Sequence, residues 1–371
     1  MTMEKKIRVL VVDDSAVMRQ LLAEILGSDP QIEVVGTASD PYVARDKIKS
    51  LNPDVLTLDV EMPRMDGLAF LRNLMRLRPM PVVMCSSLTQ QGADIALDAL
   101  ALGAVDFVAK PKVDLLRGMK DSSQEIIAKV KVAAQARVQP LIDRPWPRVE
   151  QLHDADAVLP KRAACAQSST SDRIVAIGAS TGGTEAIKEV LVNLPGNMPG
   201  IVIAQHIPKA FSGAFAARMN ACSELVVCEA QDGQTIEAGH AYIAPGDRHL
   251  VVVREGARYQ CCLSDGSLVN RHRPSVDVLF RSVAQSAGRH SIGVILTGMG
   301  RDGAEGLKEM RQAGATTIAQ DENTSVVWGM PGAAWQIGAA QALHALPHIA
   351  GLLVNLAAAG SSTKQGNPQL A

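Results

Sequence analysis

The chain has 371 residues, enough for two buried cores, and its 37 Lys+Arg against 38 Asp+Glu leave a net charge of −1. That balance provides no basic footprint for DNA or RNA, so nucleic acid is not an expected partner. The start, MTMEKKIRVLVVDD, turns acidic after a short apolar run, and no stretch reaches the roughly 18 apolar residues of a membrane helix. The expectation is a soluble cytoplasmic protein without membrane insertion.

Ile7–Val12, Glu33–Ala38, Val55–Leu58, Val82–Cys85 and Phe107–Ala109 read as five strands, and helical spacing recurs near 16–27, 41–51, 67–77, 92–102 and 123–137. Five βα repeats predict a flavodoxin-like, doubly wound parallel sheet whose ligand site lies at the carboxyl ends of the strands. Asp13 and Asp14 follow the first strand, Asp59 the third, Ser86 the fourth and Lys110 the fifth, so all five converge on one rim. Carboxylates about 4 Å apart repel by roughly 4 kcal/mol per pair at an effective dielectric of 20, so three of them call for a cation. An oxygen-only ligand set favours Mg²⁺ over zinc. Solvated acids at strand ends are the plain alternative, which five chemically coherent residues on one rim argue against.

From about Pro140 to Ser171 the pattern fails: Pro140, Pro145, Pro147 and Pro160 stiffen the segment and SSTS at 168–171 loosens its end. It reads as a linker, in which Trp146 and Val158–Leu159 are candidate anchors. Alternation resumes with strands near 174–177, 201–204, 225–229, 241–244, 249–254, 258–263, 292–296 and 316–319, and helices near 184–194, 212–220, 276–287 and 303–313. The close strands of 241–263, with no helix between them, predict a β-hairpin that interrupts a mainly parallel sheet. The six cysteines at 85, 165, 222, 228, 261 and 262 form no C-x-x-C pair, and buried reduced thiols are expected, Cys85 and Cys261 lying in apolar runs.

Within IVAIGASTGGTE at 174–185, an apolar strand enters a glycine turn with Ser180 at its apex, and helix-compatible residues follow. Gly178–Gly182 matches the G-x-S-x-G elbow that presents a nucleophile. A phosphate-cradling loop and a purely structural turn are the alternatives, although G-x-x-x-G-G is not the dinucleotide spacing. A serine nucleophile needs a base and an orienting carboxylate. His206 follows the next strand and would share Ser180's rim. Asp302, in TGMGRDG after the strand 292–296, supplies a carboxylate or else caps the helix beginning near Gly303.

Asp13-Asp14, Asp59, Ser86 and Lys110-Pro111 resemble the response-regulator receiver family over about residues 5–125. The resemblance implies that Asp59 accepts phosphoryl from a histidine kinase, that Asp13 and Asp14 hold Mg²⁺ with it, and that Ser86 and Lys110 contact the phosphoryl group. GASTGGTEAI at 178–187, QHIP at 205–208, AYIAPGD at 241–247, NRHRPSVDVLF at 270–280 and GMGRDGA at 298–304 resemble the catalytic domain of the chemotaxis protein-glutamate methylesterases, the CheB family. That resemblance implies a phosphorylation-activated hydrolase with Ser180 as nucleophile, His206 as base and Asp302 as its orienting acid. Its substrates would be glutamate methyl esters and certain glutamines of chemotaxis receptors, and the esterase site would need no metal. Thr181 and Met299 are expected to help form the oxyanion pocket, and Arg271, His272 and Arg273 either face acidic receptor surface or belong to a solvated loop.

The expected division is a receiver at 5–125, a helix end and linker at 126–171, a catalytic domain at 172–355 and a tail at 356–371. The two rims and the short linker suggest that the unphosphorylated receiver covers Ser180 and that phosphorylation of Asp59 weakens the contact. A phosphorylation-controlled binding adaptor without catalysis and a receiver-linked nucleotide-binding enzyme are the rival classes.

Overall fold

The computed structural model describes residues 5–60, 62, 67–86, 90–110, 118–138 and 173–359. The candidate anchors Trp146 and Val158–Leu159, Cys165, residues 139–171 of the expected linker and residues 360–371 of the expected tail lie outside them.

The first unit alternates β1 (Ile7–Val12), α1 (Ala16–Gly27), β2 (Ile32–Ala38), α2 (Pro41–Leu51), β3 (Val55–Asp59), α3 (Gly67–Leu77), β4 (Val82–Ser86), α4 (Gln90–Ala101), β5 (Asp106–Ala109) and α5 (Gly118–Ala133). The strands form one parallel sheet in the order β2-β1-β3-β4-β5, the flavodoxin-like arrangement. β3 and β4 are buried along their whole length, as parallel strands with helices on both faces require.

The second unit opens with β6 (Ile174–Ala179), α6 (Gly183–Val192), β7 (Gly200–Gln205), α7 (Lys209–Cys222), β8 (Val226–Glu229) and β9 (His240–Ile243). There follow β10 (His249–Glu255), β11 (Arg258–Ser264), α8 (Val276–Ala287), β12 (Ser291–Ile295), α9 (Ala304–Gln312), β13 (Thr316–Gln320), α10 (Met330–Gln336), β14 (Ala342–His344) and α11 (Leu346–Ala359). Seven strands pair in parallel in the order β14-β13-β12-β6-β7-β9-β8.

The hairpin β10-β11 does not interrupt this sheet. It forms a separate antiparallel pair and packs on α8, because β10 alternates and turns Leu250 and Val252 inward. Ser282 and Ser286 of α8 fasten it by hydrogen bonds to the backbone of Val252 at 2.9 and 2.7 Å. The sequence patterns do not mark α10, α11 or β14. β14 is three residues long, and LPHIAGLLVNLAAA of α11 is apolar but for His348 and Asn355 and has a weak two-sided period. Among the described residues, no helix is long and apolar enough to cross a membrane.

One buried cluster runs through both units, from Leu56, Leu58 and Met84 by way of Phe107 to Phe211, Ile203 and Val294. Phe107 stacks on Phe211 with ring centroids 4.5 Å apart, and α4 packs on α6 and α7. A second cluster beneath the hairpin centres on Val276, Leu279 and Phe280 of α8. Phe280 is fully buried and its ring tip lies against Gly178, under the Ser180 turn. Phe280→Ala is expected to cost about 3–5 kcal/mol in denaturant unfolding of the second unit. A loss below about 1 kcal/mol would show that α8 is not a principal support.

Candidate active site

β6 lies between β12 and β7, where the chain reverses its direction of travel across the sheet, and open α/β sheets bind ligands in the crevice formed there. Three strand ends therefore deliver three segments to one rim: Ser180 after β6, His206 after β7 and Thr297–Gly303 after β12. The register pairs Ala179 with Gln205, so Ser180 and His206 stand at the same level on neighbouring strands. The His206 amide donates to the Ala179 carbonyl at 3.2 Å.

Gly182 caps α6 at φ +75°, a left-handed conformation that a side chain would strain, and this lets the chain turn sharply after Ser180. The Ser180 amide donates to the Thr297 carbonyl at 3.0 Å, and the Thr297 hydroxyl donates to the Thr181 carbonyl at 3.0 Å. Gly298 comes so close that an added Cβ would lie 2.8 Å from that of Ser180. The turn is thus braced by the β12 loop.

His206 Nε2 lies 2.8 Å from Asp302 Oδ2, and the two side chains are only 7% and 1% exposed. Nδ1 is buried without a hydrogen-bond partner in the described structure, which leaves it as the ring's basic atom once Nε2–H is donated to Asp302. Asp302 also accepts from Asn270 Nδ2 at 2.7 Å, Ser275 Oγ at 2.8 Å, and the amides of Val276 at 2.7 Å and Asp277 at 3.3 Å. Burial alone would raise its pKa, but the hydrogen bonds from His206, Asn270 and Val276 and the charge of His206 outweigh it and hold the carboxyl well below its ordinary range. Asp302 does not cap the helix that follows it, where Gly303 occupies the N-cap of α9; it accepts first-turn amides of α8, whose own N-cap is Ser275.

His272 lies flat on His206, ring centroids 3.7 Å apart at 9°. Burial first, then the charge of His206, pushes its pKa down to about 4. Arg273 pairs with Asp247 at 2.7 Å and donates to the carbonyls of Asp265 and Gly266, so it braces its own loop. Arg271 is exposed.

On the first unit's rim, Asp13, Asp14 and Asp59 present carboxylate oxygens that all lie within 4.8 Å of one another. Lys110 Nζ reaches Asp59 at 2.7 Å and Asp13 at 3.2 Å. Burial opposes the ammonium, but these two carboxylates overcome it and raise its pKa. Ser86 donates its hydroxyl to the Gly92 carbonyl at 3.0 Å. Of the thiols, Cys85 and Cys261 are buried with raised pKa values, but Cys222 is exposed.

The CheB methylesterase family model matches residues 175–353, and the response regulator receiver domain model matches 9–119. Protein-glutamate methylesterase/protein-glutamine glutaminase 1 of Xanthomonas campestris pv. campestris is 58% identical over 96% of this chain and 99% of its own length. The chain belongs to the CheB methylesterase family. A relative named protein-glutamate methylesterase/protein-glutamine glutaminase from Hydrogenovibrio crunogenus is 57% identical over 90% of this chain and 94% of its own. The crystal structure of the Thermotoga maritima CheB methylesterase catalytic domain covers 50% of this chain and 98% of its own at 39% identity, with a TM-score of 0.49.

No motif in the sequence assigns a role to several supports of this CheB-type site. Gln205 Nε2 donates to the Ser180 carbonyl at 2.9 Å, and Gln320 Oε1 accepts the Thr297 amide at 2.8 Å. Both are polar residues ending apolar strands, a signal that could have been read.

The first unit reaches the site by the side of its sheet remote from Asp59. Asp106, at the start of β5, accepts the Thr181 hydroxyl at 2.5 Å and is held by Lys129 Nζ at 3.1 Å. Arg218 pairs with Asp98 at 2.7 Å and Arg137 with Glu322 at 3.1 Å. Met299 and Arg271 line an open cavity whose other wall is Asp29, Ile127 and Lys131 of the first unit. The second unit's rim thus meets the α4-β5-α5 side of the first, and the contact reaches Thr181, next to Ser180.

A carboxyl with a lowered folded pKa stabilises above its unfolded pKa of about 3.9 and loses that contribution as pH falls. Asp302→Asn is accordingly expected to destabilise by at least about 1.5 kcal/mol at pH 7, since hydrogen bonds to a charged group are worth roughly 1.5–3 kcal/mol. The deficit should shrink below pH 4, as read from paired denaturant midpoints.

Proposed function

We propose that this chain is a phosphorylation-activated protein-glutamate methylesterase that also deamidates glutamine, acting on chemotaxis receptors in the cytoplasm, with a receiver at 5–125 and a catalytic unit at 172–355 joined by 126–171. The His206–Asp302 pair, with Nδ1 free on the same rim as Ser180, carries the reading. Nδ1 takes the Ser180 proton as Oγ attacks the γ-carbonyl carbon of a glutamyl methyl ester. The C–O bond to methoxide breaks, and His206 returns the proton to release methanol. Water then attacks the acyl-serine, giving its proton to Nδ1, which passes it to the departing Oγ. A glutamine side chain follows the same course with ammonia leaving. Thr181 and Met299 are assigned to the oxyanion pocket, where one donor is worth about 3–4 kcal/mol. Ser180→Ala should abolish methanol release from methylated receptors while Asp59 remains phosphorylatable; undiminished release would remove Ser180 as nucleophile.

The receiver rim fits a hard divalent cation, because among the described residues its clustered donors are three carboxylates with no nitrogen or sulfur ligand. Asp13, Asp14 and Asp59 would hold Mg²⁺, which when bound neutralises charge on the incoming phosphoryl group. Asp59 accepts that group from a histidine kinase, with Lys110 and Ser86 as its partners. Asp59→Asn should leave methanol release unchanged by a phosphodonor, and an undiminished response would move the acceptor elsewhere.

Regulation rests on the interface. Asp106 holds Thr181, the residue beside Ser180, and the phosphorylated receiver releases it. A charge-assisted hydrogen bond of about 1.5–3 kcal/mol sets the scale. Asp106→Ala should raise the unphosphorylated rate roughly ten-fold toward the phosphorylated one. An unchanged basal rate would exclude this contact as a restraint.

A further inference from the structure

We propose that His272 is a positioning residue for the base: its imidazole, laid flat on that of His206, fixes the plane in which Nδ1 meets the Ser180 hydroxyl. The inference rests on the esterase reading above. His206 is tethered through one ring atom, Nε2, to Asp302. A single hydrogen bond tolerates a broad range of angles, and Nε2 lies close to the extended Cβ–Cγ axis about which the ring turns, so this tether alone leaves the ring plane loosely set. Productive catalytic geometry tolerates only about 10–20° of such error. A parallel ring 3.7 Å away at 9° removes the remaining freedom, because turning His206 would drive its edge into His272.

His272 is itself fixed. Its amide and carbonyl exchange hydrogen bonds with Val269 at 2.9 and 3.1 Å, closing a tight loop in which Asn270 and Arg271 take left-handed conformations. Asn270 Nδ2 donates to Asp302 Oδ1, so the loop carrying His272 is anchored to the same carboxylate that tethers His206. Both rings are thereby referenced to Asp302. The charged and titratable groups around His272 are His206, Asp302, Lys129 and Arg271; burial and the positive groups outweigh Asp302 and keep it neutral at ordinary pH. A neutral face can stay in contact when His206 takes up a proton, whereas a second imidazolium would repel it.

The test measures methanol release by the full-length protein, with a phosphodonor present, from a methyl-esterified receptor preparation. His272→Ala should lower kcat at least ten-fold with KM within two-fold of wild type. His272→Phe, which restores a flat ring without titration, should recover most of the rate and keep the wild-type acid limb of the kcat–pH profile. His272→Leu, of similar bulk but not flat, should behave like alanine and carries the comparison if alanine does not fold. A wild-type kcat in His272→Ala or His272→Leu, a phenylalanine variant no better than these, or a change confined to KM overturns the proposal. A wild type no more active than Ser180→Ala would bring down the esterase reading and this inference with it; an active wild type with an unimpaired alanine variant brings down this inference alone.

Discussion

The arrangement at the rim depends on one buried charge. Asp302 is 2% exposed, and an uncompensated carboxylate at such depth would cost several kcal/mol. Its compensation comes from the ring of His206 at the end of β7, the amide of Asn270 in the loop before α8, and the hydroxyl and amides of Ser275, Val276 and Asp277 in the first turn of α8. Solvating this one group with protein therefore locks three chain segments together. The first turn of α8 also contributes the positive end of a helix dipole, which favours the ionised form. What results is an acceptor of fixed position, against which an imidazole can be held in one tautomer. Serine, histidine and acid can come in any chain order under this constraint, because the carboxylate recruits its partners in space.

The parts of this architecture carried by local pattern were legible in the sequence. Strand ends placed Asp13, Asp59 and Lys110 on one rim and Ser180 and His206 on another, because parallel strands of alternating βα units all end on the same side. The parts that depend on remote partners were not. Asp302 read equally well as a cap for the helix that follows it, since capping preference is local, yet the amides it accepts belong to a helix more than 20 residues earlier in the chain. Gln205, Gln320 and Thr297 are ordinary in composition and acquire their roles only when β6, β7, β12 and β13 lie side by side. His272 sits in an arginine-flanked segment that reads either as facing acidic receptor surface or as a solvated loop, and its ring partner His206 lies 66 positions earlier in the chain, a distance that no periodicity connects.

The same distinction applies to the contact between the two units. The contact uses pairs of unequal weight: Arg137–Glu322 is more than half exposed on both sides and Asp98 of the Arg218 pair is 57% exposed, so these contribute about 0–1 kcal/mol each. The buried Asp106–Thr181 hydrogen bond, with Lys129 behind it, and the Phe107–Phe211 stack carry more. Both of these sit on the first two residues of β5. Lys110, at the other end of that strand, is bound to Asp59. Four residues of strand span only about 13 Å, so a short rigid element has the lysine bound to Asp59 at one end and the grip on Thr181 at the other. Reversing a 1:99 preference needs about 5.5 kcal/mol, more than any single contact here supplies. Under the proposed regulation such a shift requires several contacts to loosen together, and the adjacency of Asp106 and Phe107 on one strand makes their joint loss mechanically available.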